Sequence, residues 1–438
     1  MQNRRAYGFC YQDMSKIYLR SYQWLLRALV ELLDLFPPRR IERDEFALRK
    51  GILPEDYEAP AEGTFWIHGA SLGEVITLRP FLREMAQQYG KDRIVCTATT
   101  LDGLRQLKVD AICGFATLLP IELPAFVIPF IERIKPKLML ISETEIWPLL
   151  LDTLARKNIP YGIINGRINE KTVRLMRIAW PMFEPAISNL AFVFPQEKQY
   201  QRRFRVLGVN AARQNTLGCF KYDIAEALPD TAKIRAKVGI APDRPVLLFG
   251  STHPGEEELI LEALAPFWNE LNATVVIAPR HVKRVEELER LFKKRRLAYQ
   301  KVTENPTQAD KILLVDTMGE LRNFYAIAAL AFVGGSLIKR GGHNLMEPAA
   351  FARPIITGPN TSNFRYEMMA LNRARAVITV NNSHELSETI REWLHNHDAF
   401  AEYGVRARQV LDSMSGACHR TVKSLQNMKL LPPCQTPK

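Results

Sequence analysis

DTMGELRNFYAIAALAFVGGSLIKRGGHNLMEPAAFARPIITGPNTSN, residues 316–363, alternates buried-strand patterns with glycine pairs and an acid–amide pair. Within it Leu330-Ala331-Phe332-Val333 is a short apolar run of the kind that forms a parallel strand covered on both faces. The run stops at Gly334-Gly335, where the backbone can turn sharply and a ligand can approach. Gly341-Gly342 repeat the device before His343-Asn344-Leu345-Met346-Glu347, which reads as a helix start suited to a phosphate or carboxylate. Asn344 and Glu347 are three apart and share one face of a first helical turn, with Glu347 suited to accept from ribose hydroxyls. Upstream, Asp316-Thr317-Met318-Gly319-Glu320 follows the strand pattern at 312–315. One glycine pair after a strand is an ordinary turn. Two strand-to-glycine-to-helix junctions this close read as a nucleotide-sugar site beyond the carboxyl ends of neighbouring parallel strands.

Outward from this segment, short apolar runs alternate with helical stretches. The runs fall at 65–68, 94–97, 138–142, 161–165 and 191–194, and then at 246–250, 274–278, 312–315, 330–333 and 354–357. This alternation predicts an α/β protein with two doubly wound, Rossmann-like parallel sheets and a boundary near the polar stretch 225–241. A chain of 438 residues suits two such domains better than one core. No internal repeat or low-complexity tract interrupts it.

The chain carries 59 Lys and Arg against 47 Asp and Glu, a formal charge of +12, which favours anionic partners without choosing among them. Its six cysteines, Cys10, Cys96, Cys113, Cys219, Cys418 and Cys434, show neither a CxxC pair nor zinc-ligand spacing, and a reducing compartment is the simplest reading. No D-x-D triplet occurs to clamp a metal-bound nucleotide diphosphate, although Glu143-Thr144-Glu145 imitates one; no metal is expected.

Between residues 18 and 36 the apolar residues Tyr18, Tyr22, Leu25, Leu26, Leu29, Leu33 and Phe36 recur at helical spacing, and Pro37-Pro38 end the pattern. Arg27, Glu31 and Asp34 make it a poor spanning helix, and no cleavage site follows it. Arg4, Arg5, Lys16, Arg20, Arg39, Arg40 and Arg43 flank the stripe, as in an interfacial helix against anionic lipid. An amphipathic helix docked on its own domain fits the same pattern. The basic run Lys293-Lys294-Arg295-Arg296 reads as the solvated face of a helix.

Three carboxylates stand at expected strand exits. Glu74 ends the segment 68–74, between a strand and a helix expected over 75–89, where the helix macrodipole stabilises an acid and lowers its pKa. Glu143 and Glu145 follow the strand at 138–142 and precede Trp147-Pro148. Arg167 stands at the next exit, where it can meet a phosphate or pair with Glu143.

The segments TMGEL (317–321), AFVGGSL (331–337), GGHN (341–344) and EPAA (347–350) resemble the lipopolysaccharide 3-deoxy-D-manno-octulosonic acid (Kdo) transferases. WIHGASLGE (66–74), ETEIWP (143–148), NGRIN (165–169), LGCFKYD (217–223), STHPGEEE (251–258) and APRH (278–281) resemble the same family in the same order. The resemblance implies a GT-B fold of two domains facing a cleft and an inverting transfer of Kdo from CMP-Kdo to lipid A precursor, in lipopolysaccharide biosynthesis. It also implies a peripheral or monotopic place on the cytoplasmic face of the Gram-negative inner membrane. By that likeness Glu74 is the general base and Met318, Gly319, Glu320, Asn344 and Glu347 hold the nucleotide; the remaining roles follow from places at strand exits, where Glu145 orients the acceptor. Ser71, Glu143 and Arg167 form the acceptor side. Ser251, Thr252, His253, Pro279, Arg280, Met318, Gly319, Glu320, Asn344 and Glu347, with Lys221, form the donor side. CMP leaves with the help of positive charge and oriented N–H groups, among them the helix starts expected near Ser336 and Asn344.

The expected organisation is a membrane-associated helix over 1–45, an acceptor domain over 46–225, a CMP-sugar domain over 226–395, and C-terminal helices over 396–438 packing back on the first domain. No cofactor is expected. The partners are CMP-Kdo, lipid A precursor and an anionic membrane surface. Nucleic acid is excluded for want of a clustered basic and aromatic stripe, and intact Glu74 argues against a catalytically inert protein. A soluble nucleotide-sugar epimerase of the same fold would have no use for the amphipathic segment. The sequence departs from the family pattern at Cys219 (usually Asn), Asn169 (usually Ser) and Asn360 (usually His).

Overall fold

The computed structural model describes residues 3–35, 43–223, 229–306 and 311–433. The chain divides into two compact units, 1–223 with 415–438, and 224–414. Unit 1 runs α1 (Asn3–Leu35), α2 (Arg43–Arg49), β1 (Thr64–His68), α3 (Leu72–Tyr89), β2 (Ile94–Ala98), α4 (Leu101–Asp110), β3 (Phe115–Leu118), α5 (Pro124–Ile134), β4 (Pro136–Ser142), α6 (Pro148–Arg156), β5 (Tyr161–Gly166), α7 (Glu170–Ile178), α8 (Trp180–Ser188), β6 (Phe192–Pro195) and α9 (Lys198–Val206). Unit 2 continues α10 (Thr231–Lys237), β7 (Val246–Thr252), α11 (Glu256–Leu264), β8 (Thr274–Pro279), α12 (Val285–Lys294), β9 (Tyr299–Lys301), β10 (Ile312–Leu314), α13 (Leu321–Ile327), β11 (Leu330–Val333), α14 (Met346–Ala349), β12 (Ile355–Thr357), α15 (Arg365–Arg373), β13 (Ile378–Thr379), α16 (Ser383–His395) and α17 (His397–Met414). The last helix, α18 (Ala417–Asn427), belongs to unit 1.

Both sheets are parallel throughout, in the orders β3-β2-β1-β4-β5-β6 and β13-β12-β11-β7-β8-β10-β9. Side chains alternate across the first sheet. Trp66, Met139, Ile141 and Ile163 join Phe130 and Leu150 on one face, while Phe65, Ile67, Leu138 and Leu140 join Phe81, Phe192 and Phe220 on the other. Three strands without a counterpart among the expected apolar runs, β3, β9 and β13, are all sheet edges. An edge strand is covered incompletely, so it needs no continuous apolar run; Tyr299–Lys301 is half-buried along its whole length. The strand order reverses between β1 and β4 in one sheet and between β7 and β11 in the other. Helices at such a switch point leave on opposite faces and open a crevice at the strands' carboxyl ends.

Helix α1 carries two apolar stripes where the sequence suggests one. Leu19 and Val30 are buried and Tyr22, Leu26 and Leu33 half-buried toward α8 and α6. The Tyr22 hydroxyl donates to Glu122 Oε1 at 2.7 Å, and Asp34 pairs with Lys50 at 2.6 Å. Tyr18, Trp24, Leu25, Leu29, Leu32 and Leu35 are exposed, Trp24 and Leu25 at 72% each. At about 100° per residue these outward side chains fill an arc of about 140°. Among the described residues no helix is long and apolar enough to cross a membrane. Phe36 to Arg40 and Cys434 lie outside the described residues, as do the side chains of Arg4, Arg5, Cys10 and Arg43.

The return of the chain at Ser415 is secured by Asp223. Its Oδ1 accepts from Gly416 N at 2.6 Å and Ala417 N at 3.2 Å, and its Oδ2 from Cys418 N at 2.6 Å. One carboxylate thus satisfies three N–H groups at the start of α18, whose Ala417, Cys418, Val422 and Leu425 complete the core around Phe81 and Phe220. Asp223→Ala is expected to cost about 2 kcal/mol, read as a lower melting temperature together with faster protease cleavage near Ser415.

Candidate active site

The switch point of the first sheet collects three carboxylates. Ser71 caps α3, and its Oγ donates to Glu74 Oε1 at 3.2 Å while Ala70 N donates to Glu74 Oε2 at 3.0 Å. Glu74 is therefore folded back against its own loop. A helix N-terminus alone is worth about 0.3–1 kcal/mol to a carboxylate, less than one pKa unit. Burial outweighs it, and the pKa of Glu74 is raised despite the hydrogen bonds from Ala70 and Ser71 that oppose the shift. The lowering expected from its helix position is overturned.

Glu143 leaves β4 in the left-handed region, φ 56°, with its N–H donating to Ile164 O at 3.1 Å. Thr144 Oγ1 donates to Arg167 O, which ties the β4 exit to the β5 exit. Burial and the Glu74 charge raise the Glu143 pKa, against the charges of Arg167 and Lys221. Arg167 acts on Glu143 through space, without an ion pair. Glu145 is pushed up to about 7 by burial, then by Glu74 and Glu143. Like charges that cannot all ionise together titrate as a group.

Asn165, buried with φ 51°, holds the other wall: its Oδ1 accepts from Phe220 N at 3.1 Å and its carbonyl from Gln196 Nε2 at 2.9 Å. The first of these bonds places the segment that carries Lys221 beside Glu143. Lys221, grouped with the donor residues by resemblance, lies in unit 1 within the field of Glu143. Asn165 opens the NGRIN motif, but nothing in the sequence assigned it a role of its own.

In unit 2 the β7 and β11 exits are clamped by Glu256. Its Oε2 accepts from His253 N at 3.1 Å and Gly335 N at 2.6 Å, and its Oε1 from Ser336 N at 2.9 Å and Leu337 N at 3.0 Å. The N–H groups expected near Ser336 to face a leaving group are thus taken by the protein's own carboxylate, and residues 336–340 form turns, not a helix. Gly334 is needed for the scaffold, since a Cβ there would lie 2.5 Å from Ser251 O. Helix α14 has only four residues, and Met346 N donates to Asn344 Oδ1 at 3.1 Å.

Around this clamp, Asn344 Nδ2 donates to Glu347 Oε1 at 3.2 Å, and burial raises the Glu347 pKa against Asn344, Arg280 and Arg322. Arg280 N donates to Thr252 O at 3.0 Å, leaving the guanidinium exposed. Ser251, Thr252 and Pro279 are buried and shape the floor. Met318, 88% exposed, Gly319 and Glu320 form a rim, with Glu320 paired to Lys237 at 2.9 Å. His343, which the sequence did not single out, meets His253 with 2.8 Å between Nε2 atoms and rings 3° apart, so one ring donates and the other accepts. Burial lowers both pKa values, His343 to about 4, with help from nearby cations.

Two of the three departures, Asn169 and Asn360, make local hydrogen bonds. Asn169 caps α7 by accepting from Thr172 N at 2.8 Å, as a serine would. Asn360 Nδ2 donates to Ser336 O at 3.0 Å, and Cys219 is buried. Among the described residues no three His, Cys, Asp or Glu side chains are arranged to hold a metal ion.

Protonation of Glu145 gives a test of the cluster. The ordinary carboxylate range lies near 4.5, and folding moves Glu145 to about 7, so the folded state holds a proton that the unfolded state releases between those values. Stability attributable to Glu145 therefore falls as pH rises across that window. Glu145→Gln is expected to flatten the decline in melting temperature between pH 5 and 8. It should also remove one ionisation from the acid side of the pH dependence of kcat/KM.

The family model described as 3-Deoxy-D-manno-octulosonic-acid transferase (kdotransferase) matches residues 44–224. The chain is 32% identical over 417 residues to 3-deoxy-D-manno-octulosonic acid transferase of Haemophilus influenzae, covering 92% of this chain and 95% of that one. It is 33% identical to the enzyme of the same name from Chlamydophila psittaci, covering 69% and 71%. UDP-GlcNAc 2-epimerase from Neisseria meningitidis superposes with TM-score 0.56 over 83% of this chain and 100% of that one at 12% identity, a likeness of fold alone, the two-sheet GT-B architecture.

Proposed function

The chain belongs to the 3-deoxy-D-manno-octulosonic acid transferase family and is a glycosyltransferase, and from that premise we propose that it moves Kdo from CMP-Kdo to a hydroxyl of a lipid A precursor with inversion, Glu74 acting as base. The observation that carries the reading is a half-buried carboxylate held by Ala70 and Ser71 at the β1 exit, where burial raises its pKa. Such a group is a stronger base than a surface carboxylate. The acceptor oxygen attacks the anomeric carbon and passes its proton to Glu74. The bond from that carbon to the phosphate oxygen breaks, and CMP leaves with the electron pair. A single displacement inverts the centre. Glu145 and Glu143 orient the sugar hydroxyls, and the Arg167 fork suits an acceptor phosphate. Lys221 supplies positive charge beside Glu143. Arg280, His253, Asn344 and Glu347, with Met318, Gly319 and Glu320 at the rim, hold the nucleotide.

Glu74→Gln keeps the shape and removes the base. It is expected to lose roughly a hundred- to ten-thousand-fold in transfer while CMP-Kdo binding persists, measured by mass spectrometry of tetra-acylated lipid A precursor after incubation with CMP-Kdo. Transfer at the parent rate by Glu74→Gln would remove the assignment.

We further propose that the outward stripe of α1 lies in the surface of an anionic membrane, at its cytoplasmic face. Two apolar stripes on one helix serve two partners, the unit it packs on and a lipid phase. Leu25→Asp with Leu29→Asp, both at exposed positions, should leave the melting temperature unchanged and abolish co-sedimentation with phosphatidylglycerol vesicles. Retained sedimentation would refute the membrane assignment.

A further inference from the structure

A cavity of about 480 Å³ in unit 2 is lined by Lys339, Arg340 and Arg365 together with Asn360 and Ser362, and no acidic side chain lines it. The three cations are exposed, and none forms a salt bridge among the described residues. The walls are preformed by backbone bonds: Asn363 N donates to Gly341 O at 3.0 Å, Gly342 N to Gly335 O at 2.8 Å, and Asn360 N to Ser336 O at 3.0 Å. Gly341, at φ 91°, lets the chain turn where a Cβ would lie 2.5 Å from the Asn363 amide. The cavity joins the nucleotide side through Arg340, whose charge acts on His253, and through Ser336, whose carbonyl also accepts from Asn360 Nδ2 at 3.0 Å.

Three unneutralised cations around a polar space, within the roughly 300–1,000 Å³ of ordinary small-molecule sites, select an anionic, hydroxylated ligand. Guanidinium groups suit a carboxylate in particular. We propose that this cavity is the sugar-acid subsite of the donor, in which Lys339 and Arg365 hold the carboxylate of the transferred sugar and thereby distinguish an acidic sugar from a neutral one on the same nucleotide. The assignment rests on the donor reading above and adds to it the residues that choose the sugar.

The test separates sugar from nucleotide. In Lys339→Gln and Arg365→Gln, the KM for CMP-Kdo should rise about tenfold for each charge-assisted hydrogen bond removed. The inhibition constant of CMP, which has no sugar acid, should stay unchanged and so report an intact fold. A parallel rise in the CMP constant would mean that the cavity reads the nucleotide phosphate and would overturn the proposal. A rise confined to the KM of the lipid acceptor would assign the anion to an acceptor phosphate and overturn it as well, as would no change in any constant. A parent enzyme that neither transfers Kdo nor is inhibited by CMP would instead remove the donor reading, and this assignment with it.

Discussion

Parallel pairing is the constraint on which the rest of this structure depends. A strand paired in parallel on both sides needs a crossover to reach its neighbour, so every exit of a sheet lies along one edge. The loops that carry Glu74, Glu143 and Arg167 leave the first sheet along that edge, and those that carry His253, Arg280 and Gly334 leave the second. The two reversals of strand order, between β1 and β4 and between β7 and β11, then bring loops from non-consecutive strands side by side. Glu74 and Glu145, 71 positions apart, come within each other's field in this way.

Buried carboxylates in this chain divide by what they accept. Glu256 accepts four backbone N–H groups and Asp223 three, while Glu122 accepts two at the start of α6 together with the Tyr22 hydroxyl. These acids stand where a loop or helix start would otherwise bury unsatisfied donors, and their lone pairs are spent on the fold. Among the described residues Glu143 and Glu145 accept no backbone N–H, and their pKa values climb with burial and mutual repulsion. Glu74 stands between the two kinds, held by one N–H and one hydroxyl; burial raises its pKa as it raises those of Glu256 and Glu122, so the lone pairs left unspent, and not the shift, set the kinds apart. An acid with unspent lone pairs, partly desolvated beside other acids, is the kind that exchanges protons near neutrality.

The same distinction applies to the glycines of residues 316–363. Gly334 and Gly358 are required because backbone passes where their Cβ atoms would be, against Ser251 and Ser336 respectively. Gly341 and Gly342 adopt positive φ, and Gly341 lines the cationic cavity. Read in one dimension, all of them resemble ligand-approach glycines. Whether a missing side chain makes room for a ligand or for another strand exit depends on what lies opposite.

Periodicity and motif order were enough to reveal two parallel sheets, the central strands and the family, because a strand buried on both faces must be apolar along its length and because strand-exit motifs are local in sequence. The same information left β3, β9 and β13 unread, since half-covered edge strands such as Tyr299–Lys301 carry no such pattern. It also merged the two stripes of α1, because helical spacing records which residues are apolar and not which partner each one meets. Only the tertiary structure decided that Glu256, and not a ligand, fills the N–H groups at 335–337, that Asn165 sets the place of Lys221, and that His343 joins His253. Each of these hydrogen bonds joins residues 55 to 90 positions apart, and hydrogen bonding, charge and desolvation act over a few ångströms of space whatever the separation along the chain.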